Sequence, residues 1–123
     1  MKSIQLVLFF VLAMAFNSFG QSKLAQWPEL NEFYKILNVV HTPAMKNDMA
    51  PLRQNAQALL DASRKLNNSA VPAGYNAAEV KPALNKMMIQ CENIVTNMQN
   101  GAPNSTYIEM LKVTGRLFKT VAK

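Results

Sequence analysis

The 123-residue chain contains one histidine, one cysteine, one tryptophan and four glycines. With a single imidazole, His41, no arrangement of several histidines can hold a metal or pass a proton. With a single thiol, Cys91, no internal disulfide can form. There is no Gly-x-Ser-x-Gly elbow, no phosphate-cradling glycine loop and no His-Glu-x-x-His helix. Acidic residues are also few, seven against 13 Lys+Arg. They are scattered and mostly stand at predicted helix starts, where capping and the helix dipole account for them. These absences predict a non-enzymatic protein. Beyond residue 20, no stretch of useful length alternates with period two, the mark of a half-buried strand.

Only one long apolar run occurs, and it comes first. Lys2 precedes the run Ile4 to Phe16, which is shorter than the roughly 20 residues that span a bilayer. Ser18 and Gly20 then stand at −3 and −1 for a cut before Gln21, and Ala13 and Ala15 offer an alternative cut after Ala15. Residues 1–20 are therefore expected to be a signal peptide, and the mature protein to be periplasmic or secreted. No Cys follows either cut, so no lipoprotein anchor is expected. Removing the signal leaves residues 21–123, enough for one domain with a modest core. No second apolar run follows, so the mature chain is not expected to be transmembrane. Without Lys2 it keeps 12 cations against seven acids, a moderately basic balance that suits solubility or an anionic partner.

Apolar residues recur at three-to-four spacing in four blocks, which predicts an all-α, up-down-up-down four-helix bundle. Pro28 suits the first position of helix one, with Glu29 and Glu32 in its first turn. Its stripe is Leu30, Phe33, Tyr34, Leu37, Val40 and His41. Pro43 predicts an end or kink there. Asp48 is the expected N-cap of the second helix, with Pro51 in its first turn and Leu52, Ala56, Leu59, Leu60, Ser63 and Leu66 inward. Asn67-Asn68-Ser69 closes it, and 70–75 is a loop. The third helix has two starts. Asn76 with Glu79 resembles a capping box, but Pro82 would then lie deep in the helix, so a start near Val80, or a short turn of helix before Pro82, is preferred. Its stripe is Leu84, Met87, Met88, Cys91, Ile94, Val95 and Met98, and Gly101 with Pro103 stops it. The fourth starts near 104–106, with Thr106 and Glu109 as a capping box. Tyr107, Leu111, Thr114, Phe118 and Val121 face inward, and Gly115 allows close helix approach.

Two constellations point to binding. His41, Met45 and Met49 are spaced i, i+4, i+8. On one helix they would share a face, and at a corner between two helices they could still gather. Imidazole with thioethers suits Cu(I), so a soft transition metal such as copper is the candidate ligand. The bland alternative is a helix-end histidine beside core-filling methionines. Lys112, Arg116, Lys119 and Lys123 are spaced 4, 3 and 4 apart on the last helix, beyond its final acid, Glu109. They favour the helix C-terminus, and they also suit an anionic surface or an acidic protein. Nucleic acid is not expected, because no aromatics interleave with them. A bundle with no small-molecule site, acting as a structural or surface-interaction module, is the competing reading. Cys91, on an apolar stripe, reads as a buried inert thiol.

His41-Thr42-Pro43 followed by Asp48-Met49-Ala50-Pro51-Leu52-Arg53 resembles a segment of small, uncharacterised bacterial periplasmic helical-bundle proteins. That resemblance implies an exported bundle. Those relatives carry further histidines, including on the last helix, where this chain reads Val113-Thr114-Gly115-Arg116-Leu117-Phe118 with none. In length and export the chain is also distantly similar to cytochrome b562-like bundles. Their haem-ligating His on the last helix is missing here, which makes a degenerate b-type haem bundle the third reading.

Overall fold

The structure, a computed structural model, describes residues 24–123. The proposed signal peptide lies outside the described residues. Four helices form: α1 (Pro28–Met45), α2 (Ala50–Asn68), α3 (Ala77–Gln99) and α4 (Asn104–Ala122). Each packs on the next in sequence, and α1 meets α4 along a narrower strip. Contacts run in opposite directions along each neighbouring pair. Trp27 at the start of α1 meets Ser69 at the end of α2, Arg64 meets Glu92, and Tyr34 meets Phe118. The result is an up-down-up-down four-helix bundle, as the periodicity predicts. Among the described residues, no helix is long and apolar enough to cross a membrane.

The predicted stripes are the core. Leu30, Phe33, Leu37 and Val40 of α1 are buried with Leu52, Leu59, Leu60 and Leu66 of α2, Leu84, Met87, Cys91 and Ile94 of α3, and Tyr107, Leu111, Phe118 and Val121 of α4. Tyr34 and His41 of the expected α1 stripe, and Met88, Val95 and Met98 of the expected α3 stripe, are half-buried at the core's edge. One end of the bundle is pinned by Trp27. Its ring is buried against Tyr75, edge-to-face with centroids 4.9 Å apart. Its Nε1 donates to Ser69 Oγ at 2.8 Å, and that hydroxyl donates to Leu66 O. The indole thus ties the start of α1 to the end of α2 and the following loop.

Three helix ends differ from expectation. First, of the end or kink expected at Pro43, the end does not occur there: α1 runs through it to Met45. Pro43 removes only the bond to the carbonyl of Val39, a residue 53% exposed, where water can take its place. The end comes at Asn47, whose φ of +69° reverses the chain while the N–H groups of residues 46 and 48 return to Pro43 O. Second, α3 begins at Ala77, three residues before the preferred start. Asn76 Oδ1 accepts from the N–H groups of Ala78 and Glu79 at 3.1 and 3.3 Å. This cap offsets the bond lost at Pro82, whose missing partner, the Ala78 carbonyl, belongs to an exposed residue. Third, α4 starts at Asn104, within the expected 104–106, but Thr106 then lies inside the first turn and forms no capping box. Asn104 Nδ2 instead donates to Asn47 Oδ1 at 3.1 Å, joining the two chain reversals. At α2 the assigned N-cap is Met49, while Asp48 Oδ1 still accepts from Ala50 N–H at 3.2 Å.

One core group departs from good practice. The Tyr107 hydroxyl is fully buried and has no hydrogen-bond partner among the described residues. An unsatisfied buried hydroxyl costs about 1–3 kcal/mol. Tyr107→Phe is therefore expected to leave the fold intact and raise its stability, by about 1 kcal/mol in urea denaturation. A loss of stability of that size would show that the hydroxyl has a partner.

Candidate functional site

The unbroken passage of α1 through Pro43 decides how the metal candidates are arranged. His41 and Met45 lie one turn apart on the same side of one continuous helix. Both are half-buried. Met49 is not on that face. The helix ends four residues earlier, and Met49 sits beyond the turn as the N-cap of α2, 5% exposed and within the core. The i, i+8 alignment therefore fails, because Asn47 reverses the chain. What remains is an imidazole–thioether pair on α1, with a third sulfur at the corner that follows.

The partner of His41 is a glycine. A Cβ added at Gly115, in the middle of α4, would sit 3.3 Å from His41 Nε2 and 3.7 Å from Cδ2. The imidazole thus lies on bare α4 backbone with its Nε2–Cδ2 edge, and Nδ1 is on the opposite edge of the ring. No hydrogen bond or ion pair of this imidazole occurs among the described residues. One turn toward the C-terminus of α4, Phe118 stacks on Tyr34, with centroids 5.1 Å apart and planes 17° apart. The α1–α4 seam is thus closed by an aromatic stack at one level, by His41 on Gly115 at the next, and by the Asn47–Asn104 bond at the end. Sequence reasoning identified Gly115 as a close-approach residue but could not say what approaches it.

Among the described residues, no three His, Cys, Asp or Glu side chains gather as a metal-binding group. The side-chain donor one turn from His41 on the same helix is the Met45 thioether. Cys91 is fully buried on α3, and burial pushes its thiol up to about 12, against a hydrogen bond with Ser63 that pulls the other way. It stays protonated at any physiological pH and is an inert core residue, as its place on the stripe predicts.

The basic candidates stand apart from the seam's interior. Lys112, Arg116, Lys119 and Lys123 are all exposed. Glu109 pairs with Lys112 at 3.5 Å across an exposed i, i+3 step, which is worth little. An open polar groove of about 480 Å³ lies between α2 and α3, crossed by the Arg64–Glu92 pair at 3.5 Å. None of the sequence-derived candidates lines it. No family model matches the sequence, and neither a curated protein nor a solved structure matches it.

The His41–Gly115 contact makes a double-mutant cycle informative. A helical Gly→Ala change gains about 1 kcal/mol where nothing obstructs the new methyl. Gly115→Ala is expected to give that gain in a His41→Ala background and clearly less in the native chain, where the imidazole must yield. Equal gains in both backgrounds, by thermal or urea unfolding, would show that the imidazole does not rest on Gly115.

Proposed function

We propose that this chain is an exported, non-enzymatic helical bundle that binds a soft transition metal, Cu(I), between His41 and Met45. The observation that carries the reading is the continuity of α1 through Pro43. It holds an imidazole without a hydrogen-bond partner and a thioether one turn apart on the flank next to α4. Soft thioether and borderline imidazole donors together favour Cu(I) over harder ions such as Mg²⁺ or Ca²⁺. Export is supported by the apolar run and small residues of positions 1–20, and by the resemblance of the His41–Arg53 segment to periplasmic bundles.

The same geometry favours a small ion over haem. At His41 the two helices approach so closely that even one added carbon on α4 would crowd Nε2. A macrocycle would need a slot there, whereas a single ion needs only the Nδ1 edge of the ring and a sulfur on the same helix face.

The test is competition for Cu(I) against a chromogenic chelator under reducing conditions, using residues 21–123. The native protein is expected to take one equivalent. His41→Ala and Met45→Leu should each weaken binding about tenfold or more, as loss of a direct ligand exceeds the 10–100-fold effect of a supporting group. Met49→Leu keeps core volume and reports whether the third sulfur participates. Retention of native affinity by His41→Ala and Met45→Leu would exclude the site.

A further inference from the structure

From Lys112 to the end of the chain, every exposed residue is a cation. The exposed positions are Lys112, Arg116, Lys119 and Lys123, and everything between them is buried or half-buried. No other helix has such a ridge. On α2 the exposed charges are of mixed sign, Arg53, Asp61, Arg64 and Lys65, and on α3 Glu79 is followed by Lys81 and Lys86. On those two helices Arg64 is also bridged to Glu92, and on α4 Lys112 has the exposed Glu109 beside it. Cations near a helix C-terminus are favoured by the dipole, but that effect falls off within the last turn. Lys112 and Arg116 lie well before it, so the dipole does not explain the whole ridge.

We infer that this ridge is a docking surface for an anionic phospholipid bilayer. Eleven residues of α-helix extend about 16 Å, so the four cations form a straight row that can meet lipid headgroups along its length. The ridge carries no exposed apolar or aromatic side chain. A protein partner would be expected to use such anchors, since interface cores are rich in aromatics and depleted in Lys. Three of the four cations here are Lys, which suits adsorption to a charged plane rather than a shaped protein pocket. Among the described residues, no helix is long and apolar enough to cross a bilayer. The contact is therefore peripheral, made by charge alone, and it stands whether or not His41 and Met45 hold a metal.

The experiment is co-sedimentation of residues 21–123 with vesicles of phosphatidylcholine, with and without phosphatidylglycerol. Binding is expected only with the anionic lipid. It should be lost near 1 M salt, where the screening length falls to about 3 Å. Replacing ridge cations with Gln should weaken binding about fivefold for each charge removed. A control that neutralises Arg53, Lys81 and Lys86 on α2 and α3 removes as much charge as a three-residue ridge variant. It should retain most of the binding, with helicity by circular dichroism showing that both variants fold. Equal losses from ridge and control variants would mean that only net charge matters and would overturn the proposal. So would binding to polyglutamate without binding to anionic vesicles, which would point to an acidic protein.

Discussion

The structure depends on how closely its first helix can reach its last. Consecutive helices in an up-down-up-down bundle are brought together by short connections, but α1 and α4 are joined by no loop and must find each other by packing. They do so through three contacts along one seam: the Tyr34–Phe118 stack, the imidazole of His41 on Gly115, and the side-chain bond between Asn47 and Asn104. The middle contact leaves no room for a side chain on α4 without a shift of the ring. Any residue but glycine at position 115 would put a carbon 3.3 Å from the ring. A glycine within a helix carries a cost of about 1 kcal/mol relative to alanine. Here the missing Cβ spares the imidazole a shift of a few tenths of an ångström.

Much of the fold was legible because the apolar periodicity was clean. The stripes through Leu52–Leu66 and Tyr107–Val121 are the buried faces observed, and the turn at Gly101 (φ +70°) stands where the sequence puts it. The errors cluster at prolines and caps, where local rules compete with packing. Pro43 and Pro82 both lie inside helices, since each deletes a bond to the carbonyl of an exposed residue that water can solvate. At Pro82 the Asn76 cap adds two accepted hydrogen bonds, enough to favour the earlier start. Thr106 and Glu109 had the right spacing for a capping box, but the chain enters α4 two residues sooner and Asn104 turns to Asn47 instead. That choice is tertiary and leaves no trace in the local pattern.

The candidate site was half legible. The i, i+4 spacing of His41 and Met45 survives because α1 continues past Pro43. The i, i+8 extension to Met49 does not, because Asn47 takes a left-handed conformation and ends the helix. The supporting surface, the bare backbone at Gly115, comes from a helix more than 70 residues away and no spacing rule predicts it. One helix thus has two roles. The inner flank of α4 receives the imidazole, and its outer ridge carries the row of cations.

The central claim is that an imidazole and a thioether from one helix share a single soft metal ion. X-ray absorption at the copper K-edge of the Cu(I)-loaded protein tests this most directly, because it reads the donor atoms themselves. The account predicts a mixed shell with both nitrogen and sulfur scatterers, losing its nitrogen component in His41→Ala. A shell without nitrogen in the native protein, or one that His41→Ala leaves unchanged, would contradict it.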